Sequence, residues 1–146
     1  MRALGVDLGM VRIGLALSDP SKLIASPYDT LPAGDTQADD WPQQTAAVLA
    51  DVACRVDADT IVVGLPRALS GGDTAGAASA RRVASALERV TDARVVVWDE
   101  RLSSAEAERM LLGAGRRRAQ RRQERDRVAA AIILQAWLQA NAASPS

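Results

Sequence analysis

The chain has no histidine and a single cysteine, Cys54, among its 146 residues. Those two shortages remove whole classes of chemistry. Without histidine there is no Ser-His-Asp triad, no Cys-His pair, no imidazole general base and no His-bearing zinc site. One thiol builds neither a disulfide framework nor a cysteine-rich metal centre, and it agrees with a reducing compartment. Lysine is nearly absent too: Lys22 is the only one, so arginine richness is partly a habit of the chain. No apolar run reaches membrane-spanning length, and Arg2 and Asp7 interrupt the amino terminus too early for a signal-peptide core. The expectation is a soluble, cytoplasmic protein with no membrane partner. Gly71-Gly72-Asp73 lacks the Gly-Lys-Ser/Thr ending of a Walker A loop.

What the chain does have is carboxylate and arginine. Acids and bases balance at 18 each, but residues 1–60 hold nine acids and four bases while residues 61–146 hold nine acids and fourteen bases. Half of those later bases are Arg116, Arg117, Arg118, Arg121, Arg122, Arg125 and Arg127. Such a block offers planar donor forks to phosphates. A solvated helix face joined to a flexible loop accounts for it equally well. Any hydrolytic chemistry must rest mainly on carboxylates, and oxygen-only ligation suits Mg²⁺ or Mn²⁺.

The pattern of apolar residues predicts a single layered α/β domain over residues 1–140, with a frayed tail over 141–146. Arg2 to Leu8 and Val11 to Leu17 read as an antiparallel pair relieved by Gly9 and Gly14. Leu23 to Leu31 reads as a weaker third strand, pushed to an edge or a bulge by Pro27. Asp40 is placed to cap a helix that carries Pro42 in its first turn, with Gln43 completing a capping box. That helix runs to about Cys54 and buries Val48, Leu49 and Val52. Thr60 to Gly64 is a fully apolar strand suited to the middle of a sheet. A turn-rich loop from Leu65 to Asp73 leads to an Ala-rich helix ending near Val90, with Val83 and Leu87 inward. Arg94 to Trp98 is another buried-type strand. Ser103 and Glu106 form a capping box for a helix to about Leu112. Gly113 to Glu124 is a basic connector, and a last helix spans about Arg125 to Ala140.

Three carboxylates stand out on this frame. Asp7 lies inside an apolar strand, where a charge must be hydrated, paired or bound to a cation. Asp99 and Glu100 close a strand, at the end that faces the ligand crevice in open sheets. They point to opposite faces, so only one shares a site directly with Asp7. A turn-forming or cap-supporting role is the better account of Asp99; Glu has no special turn role. Asp126 falls within about 40° of the stripe formed by Ala130, Ile133 and Trp137 on a helix of about 100° per residue. By itself it reads as an acid favoured by the helix dipole, worth about 0.3–1 kcal/mol. Taken with Asp7 and Glu100, a convergent site is more economical. Three converging acids repel, and bound cations relieve that. Two Mg²⁺ ions about 3.5–4 Å apart would hold the attacking water and the leaving oxygen of a phosphodiester without any histidine.

Four segments, in this order, resemble the YqgF (RuvX) family of Holliday-junction-resolvase-like nucleases, whose members are also implicated in maturing the 5′ end of pre-16S ribosomal RNA. They are Gly5-Val6-Asp7-Leu8-Gly9 with Arg12-Ile13-Gly14-Leu15-Ala16 and Ser18-Asp19; Ile61-Val62-Val63-Gly64-Leu65-Pro66 with Ser70-Gly71; Asp99-Glu100-Arg101-Leu102-Ser103 with Ala107; and Asp126 with Ala129-Ala130 and Ile132-Ile133-Leu134. Each is weak alone, and together they are specific. The resemblance implies an RNase H-like fold, with a five-stranded mixed β-sheet flanked by α-helices. It implies catalytic and metal-binding roles for Asp7, Glu100 and Asp126 in a metal-dependent site, in keeping with the two Mg²⁺ or Mn²⁺ ions expected above. Arg12, Arg67 and Arg101 match basic positions that contact phosphates, and Arg116, Arg117 and Arg118 add to the expected nucleic-acid surface. Two departures stand out. Met10 and Val11 occupy a turn where family members often place a hydroxyl and a basic residue. Arg125 precedes Asp126 where an apolar residue is usual, and can pair with a nearby acid.

Three functions compete. The first is metal-dependent phosphodiester hydrolysis, of precursor rRNA or of a four-way DNA junction. The second is a non-catalytic RNA- or DNA-binding module of the same fold, acting in ribosome assembly or transcription. The third is an actin- or sugar-kinase-type ATPase, disfavoured because such folds usually need two domains of this kind. A homodimer suits symmetric junction cleavage and a monomer suits RNA processing; both remain open.

Overall fold

The computed structural model describes residues 1–66, 75–100 and 121–142, of which 75, 121–126 and 142 by backbone alone. Its elements are β1 (Arg2–Leu8), β2 (Arg12–Ser18), β3 (Ala25–Pro32), α1 (Trp41–Arg55), β4 (Ala58–Leu65), α2 (Ala75–Val90), β5 (Arg94–Asp99) and α3 (Arg121–Ala142). The five strands form one mixed sheet in the order β3-β2-β1-β4-β5. β1 and β2 pair antiparallel, as do β2 and β3, whereas β1–β4 and β4–β5 are parallel. Parallel neighbours need long crossovers, and α1 and α2 lie within those crossovers.

Strand alternation divides the core in two. Leu4, Val6, Ile61, Val63 and Leu65 pack with α1 and α2 on one face. Ala3, Ala16 and Val62 pack with Ala130, Ile133, Leu134 and Trp137 of α3 on the other. The inward stripe expected of the last helix is therefore its sheet-facing side. The same holds for Val83 and Leu87 of α2, both fully buried.

The β1–β2 turn closes with the Gly9 N–H donating to the Arg12 carbonyl (3.0 Å), and a Cβ at Gly9 would collide with that oxygen. Pro27 produces both effects expected of it. β3 is an edge strand, and its pairing skips a residue, Leu15 facing Asp29 and Ala16 facing Pro27.

Five sequence expectations need correction. β5, read as a buried-type strand, is an edge of the sheet with Val97 40% exposed and none of its residues buried. β3 starts at Ala25 rather than Leu23, because the Asp19 carboxylate takes the N–H groups of Leu23 (2.8 Å) and Ile24 (3.0 Å) and holds them in a turn. Those same bonds keep the Asp19 carboxyl below its usual value. Asp40 precedes α1 but makes no side-chain cap; its carboxylate accepts from the Gln44 amide instead (2.6 Å). Pro42 has no N–H to offer, and Asp40 (φ −94, ψ 9) lacks the extended backbone usual at an N-cap. Val48 is 48% exposed rather than buried, while Leu49 and Val52 are buried as expected. α3 begins at Arg121, within the stretch read as a connector; Arg121-Arg122-Gln123-Glu124 are all good helix formers. The helix expected over Ser103 to Leu112 lies outside the described residues, and α3 continues to Ala142 past the point where fraying was expected.

Candidate active site

β1, β4 and β5 run parallel, so their carboxyl ends lie side by side. Val6 is in register with Val63, and Gly64 with Trp98. Asp7 thus stands at the end of β1 beside Gly64, with Trp98 next across the sheet. Asp7 shares a face with Ala3 and Gly5, the α3 side. Glu100 follows β5 two residues after Trp98 and falls on that face too.

The space between the two acids is set by Gly64. A Cβ there would lie 2.5 Å from Ile133 Cδ1 of α3 and 3.2 Å from Glu100 Oε1. The missing side chain lets the Glu100 carboxyl fold in against the backbone of β4. There its hydroxyl donates a hydrogen bond to the Asp7 carboxylate, which favours protonated Glu100. Burial is the largest cause pushing the Glu100 carboxyl up to about 7, followed by the Asp7 charge, this hydrogen bond and the Asp99 charge. Two carboxyls far apart in sequence are therefore in contact, and the structure brings Asp7 and Glu100 together.

Asp126 lies in α3, one turn before Ala130. The Ala130 carbonyl oxygen is 3.0 Å from where a Gly5 Cβ would stand, and Leu134 Cβ is 2.8 Å from it. Further along, the buried Gln135 accepts from the Ala25 N–H (2.8 Å) and donates to the Leu23 carbonyl (3.1 Å). Ala25 pairs with Ser18, whose Oγ accepts from Ala3 at the start of β1 (2.8 Å). α3 therefore runs opposite to β1, and the turns that carry Asp126 extend toward the Asp7 end. Because the helix begins at Arg121, Asp126 is past the first turn, where the dipole effect has fallen off. The Asp126 side chain lies outside the described residues. Among those that are described, no group of three His, Cys, Asp or Glu side chains could hold a metal ion.

The basic positions are distributed unevenly. Arg12 opens β2 opposite Pro32, at the same end of the sheet as Asp7. Arg67, Arg101, Arg116, Arg117 and Arg118 lie outside the described residues. Met10 and Val11, at the hairpin tip, are 80% and 70% exposed.

Two residues beside the acids escaped sequence reasoning. Gly64 makes the room for Glu100; its signal was a glycine closing an apolar strand, which marks a close approach. Trp98 is the other. Its indole nitrogen is buried with no hydrogen-bond partner among the described residues, and no sequence pattern announces that.

Residues 1–140 match the RuvX family model, described as a Holliday junction resolvase. A protein of Geobacillus kaustophilus described as "Putative pre-16S rRNA nuclease" is 41% identical over 138 residues, 94% of this chain and 97% of that one. A protein of Clavibacter sepedonicus with the same description is 41% identical over 143 residues, 98% of this chain and 86% of the other. Among solved structures, RuvC of Thermus thermophilus superposes with a TM-score of 0.64 at 15% identity, covering 98% of this chain and 97% of that one. The same enzyme in complex with a Holliday junction substrate gives a TM-score of 0.59 at 16% identity, covering 97% and 96%. At that identity the likeness speaks for the RNase H-like fold. No described helix is long and apolar enough to cross a membrane.

Proposed function

The chain belongs to the RuvX family of nucleases, and we propose that it cleaves phosphodiester bonds in precursor 16S rRNA with the help of divalent cations held by Asp7, Glu100 and Asp126. The contact between Asp7 and Glu100, at the carboxyl ends of two parallel strands that flank β4, is the observation that carries this reading. The choice of precursor rRNA over a four-way DNA junction rests on the relatives at 41% identity, since the RuvC likeness speaks only for the fold.

The donor set fits Mg²⁺ or Mn²⁺. Asp7 and Glu100 are half-buried oxygen donors, close enough that the Asp7 charge raises the proton affinity of Glu100, and the chain has no histidine to offer a nitrogen ligand. Such a pair is poorly stabilised when both groups ionise, and a hard cation removes that penalty. A bound ion, or two, would supply an activated water and charge neutralisation at the leaving oxygen.

The protein's own contribution is placement. β1 and β5 fix the two carboxyls at either side of Gly64, so neither needs a flexible loop to reach the other. α3, pressed onto Gly5, carries Asp126 toward the same end. Arg12, Arg67, Arg101, Arg116, Arg117 and Arg118 would hold the substrate backbone by charge-assisted contacts that position without reading sequence.

The test is cleavage of a precursor 16S rRNA fragment and a four-way DNA junction, with Mg²⁺ or Mn²⁺, by the wild type and Asp7→Asn. Metal-dependent cutting of the RNA, lost in the variant, is expected. Equal cleavage by both proteins would trace the activity to a contaminant. Preference for the junction would overturn the substrate assignment.

A further inference from the structure

A second cationic surface lies on the opposite face of the sheet. A groove of about 330 Å³ runs between the first turn of α1 and the outer side of α2, lined by Pro42, Gln43, Arg81, Arg82 and Arg89 among others. Asp39 is the one acid lining it among the described residues. All three arginines are exposed. They come from one helix at spacings that bring them to one side: Arg81 and Arg89 are eight residues apart, Arg82 and Arg89 seven. On a helix rising 1.5 Å per residue, Arg82 and Arg89 stand about 10 Å apart along the axis.

This groove is connected to the catalytic end. The Trp41 indole at the start of α1 donates to the Ala33 carbonyl (2.6 Å), and the Ala33 N–H donates to the Val11 carbonyl (2.9 Å). Val11 belongs to the turn that follows Asp7 and Leu8. The amino turn of α1 therefore opens at the same end of the sheet as the carboxylate pair, but on the face away from α3.

We propose that the groove is a remote docking site for the phosphodiester backbone of the same substrate, gripping a strand that continues past the cleavage point. The inference rests on the nuclease reading. Several fixed cations in a row, set against one acid, match a polymer with a charge at every nucleotide. Three arginines against the single acid Asp39 in the described lining give the groove a net positive charge that attracts a polyanion. Contacts of this kind add affinity and salt dependence without sequence preference.

The experiment compares the wild type with Arg82→Glu/Arg89→Glu and with Arg82→Lys/Arg89→Lys. Binding is read by fluorescence anisotropy on a long structured precursor rRNA fragment, across a salt series. Cleavage is read separately, on a short oligonucleotide that spans only the cut site. The charge-reversed protein should bind the long RNA at least about tenfold more weakly, and its slope of log affinity against log salt should shrink by about 1.4–1.8, two phosphate contacts' worth. The lysine pair should retain most of both, and short-substrate turnover should be equal in all three. Unchanged long-RNA affinity and slope would overturn the proposal. So would an equal loss on the short substrate, or displacement of a poly-glutamate probe in preference to RNA. Should the wild type cut nothing, the nuclease reading fails, while the binding series still decides the groove.

Discussion

Replacing Glu100 by glutamine should stabilise the metal-free protein, and only at neutral to alkaline pH. Burial first, and then the Asp7 charge, raise the Glu100 carboxyl from 4.5 to about 7. The folded state therefore holds a proton that the unfolded chain has released, and stability falls as pH rises from about 4.5 through about 7. A shift of that size corresponds to at most roughly 3 kcal/mol at about 1.4 kcal/mol per unit. Half-burial and solvent screening reduce the realised cost to about 1–2 kcal/mol. Glutamine carries no charge at any pH and can still donate its amide to Asp7. At pH 4, where Glu100 is mostly protonated in both the folded and the unfolded chain, the two proteins should melt together. At pH 8.5 the variant should melt higher by about 2–8 °C, at roughly 2–4 °C per kcal/mol for a chain of this size. Thermal melts in chelator at constant ionic strength read this directly. Adding Mg²⁺ should then raise the wild type more than the variant. An offset of the same size at both pH values would refute the reasoning, since a packing or propensity effect does not titrate.

Two further substitutions test how α3 is seated. Gly5→Ala places a methyl 2.8 Å from Leu134 Cβ and 3.0 Å from the Ala130 carbonyl oxygen; backbone cannot swing aside, so a loss of about 1–3 kcal/mol is expected in denaturant titration. Gln135→Leu removes both bonds to the Leu23–Ala25 segment and leaves two backbone groups unpaired, for about 2–3 kcal/mol; faster amide exchange at Ala25 is the local signature, and exchange identical to wild type would contradict it.

Much of this was legible in the sequence because polarity clashed with periodicity. Asp7 was visible as a charge inside an apolar strand, and Asp126 as an acid in line with Ala130, Ile133 and Trp137. The five strands followed from apolar runs with turn residues between them. What stayed hidden depended on partners remote in the chain. The role of Gly64 needs the β4–β5 register, which no local pattern supplies. Asp99 read as a turn acid, yet its charge bears on Glu100. The start of β3 was misplaced because one side chain, Asp19, diverts two N–H groups. Val48 was assigned inward by its apolar character, but α1 turns it beside a shallow cavity of about 180 Å³ near Trp41 and Leu31.

The parallel pairing of β1 with β4 and of β4 with β5 also governs when the two acids can meet. Asp7 emerges early in synthesis, but its neighbour arrives only after the strand between them has been made, inserted and followed by another helix. A nascent chain that stops before β5 possesses one half of the acidic pair and no means of gathering the rest.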